Sequence, residues 1–210
     1  MSKARSHLRA KRALDLTVSL IALVVTLPVQ GAVALVVRLK LGRPVLFRQM
    51  RPGLRGEPFT IVKFRTMRPF EPTRGWIDDS SRLTPLGCAL RSASLDELPT
   101  LWNVVRGDMS LVGPRPLLPQ YLDRYSQEQA RRHDVRPGLT GLAQVSGRNA
   151  LTWEDRLRLD VEYVQRQSFA LDLRILLKTL GTVASRQGIT AVGAATMPEF
   201  LGSRPSSEAP

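Results

Sequence analysis

Asp96 and Glu97 are adjacent carboxylates in the run Ser94-Leu95-Asp96-Glu97-Leu98-Pro99, and cations stand before and after them. A carboxylate can attack phosphorus when a metal and arginines suppress the repulsion between like charges. Arg91 precedes the pair, and Gly113-Pro114-Arg115-Pro116 follows it. Two prolines fix the backbone beside Arg115, whose planar fork suits a phosphate. Lys63-Phe64-Arg65-Thr66 adds two more cations. The glycine-bearing runs 136–141 and 144–149, the second containing Arg148, are loops where a backbone could approach a ligand closely.

Each of these pieces also has a plain structural reading. Ser94 and Glu97 suit a capping box that stabilises a helix start. The proline-flanked arginine suits a tight turn, Lys63 to Thr66 a surface strand, and the glycine runs simple turns. Pro99 disturbs the capping reading, because it would fall past the first turn, where proline is tolerated. A helix that starts later leaves both carboxylates on its approach, freer to face a ligand. The two histidines, His7 and His133, are far apart in sequence, and the chain has no Walker loop, GxGxxG run or Ser-His-Asp set.

The elements that must position these residues follow from pattern. Residues 45–50 and 58–66 read as strands around a turn signal at 51–56, and a loop follows from about Arg68 to Thr84. The spacing predicts a helix over 94–106, with Leu98, Leu101, Trp102 and Val105 on one face and Gly107 as its stop. A polar helix is expected over 117–132. Another is expected over 152–167, capped by Thr152 and Asp155 and burying Trp153, Leu157, Val161 and Val164. Residues 169–186 are more apolar and suit either a membrane interface or an ordinary core. Residues 193–210 read as a disordered tail. The fold class is α/β and mostly helical, with a small hairpin or sheet.

The 210 residues suit one domain plus an anchor. The net charge of +13 calls for an anionic partner: nucleic acid, an anionic membrane face or phosphorylated substrates. Residues 1–60 hold eleven Lys or Arg against two acids, so the excess brackets the apolar run 13–37. That placement favours a membrane over nucleic acid. The run is about long enough to cross a bilayer, which needs roughly 20 apolar residues. A spanning helix and a cleaved signal peptide are alternatives. Pro28 inside the run and basic residues at both ends favour a re-entrant helix with both ends on the cytoplasmic side. Thr26 offers a hydroxyl to backbone freed at the bend. Single Cys88 excludes an intrachain disulfide and fits a reducing cytoplasm.

Taken in order, Lys63-Phe-Arg-Thr-Met67, Arg91-Ser-Ala-Ser-Leu-Asp-Glu-Leu-Pro99, residues 103–116, 136–141 and 144–149 resemble the monotopic phosphoglycosyl transferases, or bacterial sugar transferases, of the small catalytic-core type. The resemblance runs from about Lys11 to Arg186. It implies a re-entrant membrane segment with its basic start over 1–42, a catalytic domain over 43–190 with interfacial amphipathic helices around a compact α/β core, and a tail over 191–210. It implies an enzyme of the bacterial inner membrane whose active site faces the cytoplasm. Asp96 would attack the β-phosphate of a UDP-sugar, releasing UMP, and the aspartyl-phosphosugar would pass to undecaprenyl phosphate. Glu97 would orient or deprotonate the incoming group, and Mg²⁺ would bind at Asp96 and the diphosphate. Arg115 would hold phosphate, with Arg91, Arg148, Lys63 and Arg65 as further substrate contacts. No nucleic-acid partner is implied, and the oligomeric state is left open. Two departures stand out: Leu27-Pro28 where the family often has Ser-Pro, and Ser146 where asparagine is common.

Overall fold

The computed structural model describes residues 2–147, 150–185 and 199–202. Its longest element is α1 (Ser2–Leu41), a single helix with Pro28 inside it. Proline cannot donate to the helix ladder, and its ring presses on the turn before it. A side-chain relay straddles this point: Gln30 Nε2 donates to Thr26 Oγ1 (3.0 Å), and Thr26 Oγ1 donates to the Ala22 carbonyl (2.6 Å). Such back-bonding bends helices.

The segments either side of Pro28 dock on one body. Before it, Lys11 Nζ donates to Asp172 (2.7 Å), and Arg12 donates to the carbonyls of Val104 (2.5 Å) and Val105 (2.8 Å). Asp15 accepts from Ser110 Oγ (2.8 Å) and the Leu111 N–H (3.1 Å). After it, Val33 and Val37 are buried with Phe64 and Leu90. Between the two docked stretches Val24, Val25 and Leu27 are 65–72% exposed, an apolar surface with nothing covering it.

Strands β1 (Leu46–Pro52) and β2 (Pro58–Phe64) form an antiparallel hairpin where two strands around a turn signal are expected, in register from Leu46 opposite Phe64 to Pro52 opposite Pro58. The turn between them places Arg55 and Gly56 at positive φ. Because side chains alternate, Gln49, Arg51, Phe59, Ile61 and Lys63 share one face, while Leu46 and Phe64 on the other pack with α1. The outer edge of β2 has no third strand. Instead Thr100 Oγ1 donates to the Val62 carbonyl (2.8 Å), and Asn103 takes the Val62 N–H (3.1 Å) and donates to the Thr60 carbonyl (2.7 Å). Side chains thereby satisfy backbone groups that would otherwise be left open.

Short helices α2 (Asp79–Arg82) and α3 (Pro85–Ser92) lead from the hairpin to the acidic run. The helix expected over 94–106 is two pieces. A 3₁₀ turn over Leu95–Thr100 contains Pro99, and α4 (Leu101–Arg106) follows and stops at Gly107, φ +92°. The expected apolar face is partly corrected, since Leu101 and Val104 are buried but Trp102 is 53% exposed.

Strands β3 (Ser110–Val112) and β4 (Gly138–Thr140) pair in parallel. Their approach depends on glycine. A Cβ at Gly138 would lie 2.1 Å from the Gly113 nitrogen, and one at Gly141 would lie 2.2 Å from the Gly113 carbonyl oxygen. These glycines thus bring backbone to backbone rather than forming simple turns.

The polar helix expected over 117–132 is instead a 3₁₀ turn (Pro119–Arg124), α5 (Gln127–Ala130) and a second 3₁₀ turn (Arg131–His133). It is not uniformly polar in setting, because Tyr121, Arg132 and His133 are buried. Helix α6 (Leu142–Ser146) precedes α7 (Trp153–Arg166), whose N-cap is Thr152 as expected. Leu157 and Val161 of α7 are buried, but Asp160 and Tyr163 join them in place of the expected Trp153 and Val164, which are half-buried. Helix α8 (Phe169–Ser185) buries Asp172 and Ile175 and leaves Leu173, Leu177 and Leu180 exposed. One face docks on the core and the other stays apolar, so neither of the two readings of this helix holds alone.

In the segment expected to be a disordered tail, residues 199–202 are described. Phe200 is buried against Tyr121, Tyr125 and Trp153, and Arg124 pairs with Glu199. For these four residues the expectation is corrected: an aromatic side chain has a cage to fill. The rest of that segment lies outside the described residues.

Candidate active site

The acidic run opens on Ser94, held in the left-handed region at φ +55° with no side-chain cap. The capping box is therefore not formed. Pro99 sits inside the tight 3₁₀ turn, and the regular helix starts only at Leu101. Both carboxylates stand on the approach to α4, as the position of Pro99 suggested.

Their surroundings differ sharply. Glu97 Oε1 accepts from Lys63 Nζ (2.5 Å) and Arg115 Nη2 (2.7 Å). Lys63 comes from the end of β2, and Arg115 from the Gly113-Pro114-Arg115-Pro116 turn after β3, so Glu97 joins three separate elements. Burial favours the neutral acid, but the two cations outweigh it and hold Glu97 well below the usual carboxylate range. Its second oxygen, Oε2, takes no hydrogen bond among the described residues.

Asp96 is 8% exposed, and neither of its oxygens makes a hydrogen bond or ion pair among the described residues. Burial, then the neighbouring Glu97 charge, pushes its carboxyl upward, while Lys63, Arg91 and Arg115 pull the other way. The two neighbouring acids have oppositely displaced affinities for protons. Glu97 is an ionised clamp, and Asp96 has no hydrogen-bonding partner among the described residues.

The other sequence-nominated residues separate. Arg91 donates from Nε to Thr66 Oγ1 (3.1 Å) and lies within electrostatic reach of Asp96. Arg65 is elsewhere: it donates to the Leu41 carbonyl and so terminates α1 instead of facing the acids. Arg148 lies outside the described residues. No cluster of three or more His, Cys, Asp or Glu side chains able to hold a metal is present among the described residues. A divalent ion here would have Asp96 as its protein ligand and would take its remaining oxygens from substrate phosphates and water. That arrangement fits the way Mg²⁺ is usually held.

Two residues outside the sequence reading frame the site. Asn103 Nδ2 donates to Asp108 (3.1 Å) as well as to the hairpin edge, tying α4 to β2. Both amide atoms of Gln144 are buried without a partner among the described residues. Neither carries a sequence signal beyond its place in the motifs, since an amide is as common on a surface as in a lock.

Comparison with known proteins bears on what this arrangement does. Residues 6–186 match the family model described as bacterial sugar transferase. The chain is 50% identical to the uncharacterized sugar transferase EpsL of Bacillus subtilis (strain 168), across 92% of this chain and 96% of that protein. It is 44% identical to a UDP-glucose:undecaprenyl-phosphate glucose-1-phosphate transferase of Caulobacter vibrioides, across 81% of this chain and 68% of that one. A galactosyl transferase, CpsE, of Streptococcus agalactiae is 39% identical, across 85% of this chain but only 43% of the relative's length.

Proposed function

Since the chain belongs to the bacterial sugar transferase family, we propose that it moves a sugar 1-phosphate from a UDP-sugar to undecaprenyl phosphate, the first membrane step of building a capsule, exopolysaccharide, O-antigen or glycoprotein glycan. The observation that carries this reading is the partnerless, buried Asp96 beside a clamped Glu97 and three cations.

An Asp96 oxygen attacks the β-phosphorus of the UDP-sugar. The new O–P bond forms as the bond from that phosphorus to the bridging oxygen breaks, and the electron pair departs with UMP. An oxygen of the lipid phosphate then attacks the same phosphorus. The aspartyl bond breaks, and the free carboxylate returns. Splitting the transfer this way lets a soluble and a lipid substrate use one site in turn. Lys63 and Arg115 reduce the repulsion between anion and anion, and the Arg91 charge also favours ionised Asp96. Glu97 keeps Lys63 and Arg115 in place, and its Oε2 is available to orient the incoming lipid phosphate. Mg²⁺ held by Asp96 and the diphosphate would supply further positive charge.

The membrane reading rests on α1. Its residues Leu8–Leu41 are long and apolar enough to cross a bilayer. Docking of both flanks on one catalytic body, with bare valines and Leu27 between, supports a re-entrant segment with the site facing the cytoplasm. The exposed leucines of α8 suit the headgroup region of the same leaflet.

The test is release of UMP by detergent-purified protein supplied with undecaprenyl phosphate, Mg²⁺ and a panel of UDP-sugars, including glucose, galactose and N-acetylated amino sugars. One productive sugar, with turnover stopped by chelator, is the expected result. No release with any sugar would sink the enzymatic reading.

A further inference from the structure

The register of the hairpin aligns cations that the site described so far does not account for. Lys63, Gln49 and Arg51 lie on one face of β1 and β2. Lys63 is already paired with Glu97, as is Arg115. Arg51 is half-buried, is steadied by donating from Nη2 to Gln49 Oε1 (2.6 Å), and has no ion pair among the described residues. Burial, and next the charge of Arg115, lower its affinity for its proton to a pKa of about 10. A half-buried guanidinium beside another one is unfavourable until an anion arrives to bridge them. Glu97 pairs with Arg115 and Lys63 but not with Arg51.

The position along the hairpin says which anion. The Leu46–Phe64 end packs on Val33 and Val37 of the anchor. Arg51 is five residues further along β1, about 17 Å at the usual strand rise. It therefore lies at the end of the hairpin away from the Val33 and Val37 contact.

We propose that Arg51 is a donor-phosphate binding residue, gripping the nucleotide-side phosphate of the UDP-sugar together with Arg115. This assignment rests on the function proposed above. It gives the diphosphate a direction: the sugar-bearing phosphate at Asp96, toward the anchor, and the departing phosphate outward at Arg51. In-line displacement puts the departing phosphate opposite Asp96, on the side from which the lipid phosphate later attacks.

The experiment is a steady-state comparison of wild type, Arg51→Gln, Arg51→Lys and Arg48→Gln. Arg48 is an exposed arginine on the opposite face of the same strand, so its variant makes the same change of charge away from the site. Arg51→Gln should raise KM for the UDP-sugar by roughly ten- to a hundredfold, the scale of a lost charge-assisted hydrogen bond, and leave KM for undecaprenyl phosphate unchanged. Arg51→Lys should recover part of the loss, and Arg48→Gln should behave as wild type. A rise in the lipid KM alone would assign Arg51 to the acceptor and overturn the proposal. So would equal effects of Arg48→Gln and Arg51→Gln, or no effect of Arg51→Gln in protein whose melting temperature is unaltered. Calorimetric titration of UDP keeps this test separate from turnover. If wild type transfers no sugar but binds UDP and Arg51→Gln does not, the proposed reaction fails and the phosphate site stands.

Discussion

Two ion-pair networks in this molecule use the same chemistry and end differently. Arg132 and Asp160 are 1% and 2% exposed, and Arg132 reaches Asp160 Oδ2 through both Nη2 (2.7 Å) and Nε (3.1 Å), with a third bond from Nη2 to the Arg115 carbonyl. That network is closed, with each charge answered inside the protein. The network at Glu97 is more open to solvent, with side-chain exposures of 18–39%, and it is left incomplete. Among the described residues, Glu97 is saturated on one oxygen, Asp96 has no hydrogen-bonding partner, and Arg51 has no ion pair. A closed network holds a shape, whereas an unbalanced one has capacity for a ligand.

The sharpest way to break this contrast is Asp96→Asn. It should lower turnover by more than about a thousandfold, because the nucleophile is gone, while the melting temperature stays level or rises, because a buried carboxylate without a partner has been removed. Retained UMP release would show that the unpaired acid is not the reactive one. The counterpart in the closed network is Asp160→Ala. Leaving Arg132 buried without its partner should cost about 3–5 kcal/mol, seen as a large fall in melting temperature. A negligible fall would mean the pair is not worth more than a surface bridge.

His133, next to Arg132, tests how closed that region is. Burial, and then the Arg132 charge, lower its pKa to about 4 from 6.5. Above pH 6.5 both native and unfolded chains carry it neutral, so its contribution is fully present there. Between 6.5 and 4 only the unfolded chain takes the proton, so stability should fall as pH falls, by up to roughly 3 kcal/mol. His133→Gln should flatten that part of a melting-temperature profile. A wild-type profile that is already flat would contradict a buried neutral imidazole. The smallest effect is expected for Glu97→Gln, which weakens the clamp without removing the nucleophile. Turnover should drop by roughly ten- to a hundredfold, read as kcat in the same assay. A loss as complete as that of Asp96→Asn would give the two acids equal roles.

Much of this arrangement is legible in the sequence where a local rule decides it. The hairpin follows from two strand-like runs around the turn signal at 51–56, α7 from its Thr152 cap, and the late start of α4 from Pro99. What the sequence leaves dark depends on distant partners. The Lys63–Glu97–Arg115 clamp joins residues 34 and 18 positions apart, and no local pattern distinguishes the carboxylate that is clamped from the one that is not. Arg65 has the same motif credentials as Lys63, yet it closes the end of α1, since the chain turns back toward that helix after β2. The interruption of the helix expected over 117–132 is invisible for a like reason: Arg132 is polar by type and buried only because Asp160 awaits it.

The polar tethers of α1 also set an order of assembly. Asp15 finds Ser110 and Leu111, and Lys11 finds Asp172 at a separation of 161 residues. On a ribosome α1 emerges before α8, so the Lys11–Asp172 ion pair can form only when α8 has been made. Until then Lys11 and Asp15 lack those partners and are best kept in water at the membrane boundary. In the re-entrant reading proposed above, insertion of the apolar stretch is thus an early event and its locking a late one. A chain stopped short of Asp172 would lack the Lys11 tether between α1 and α8.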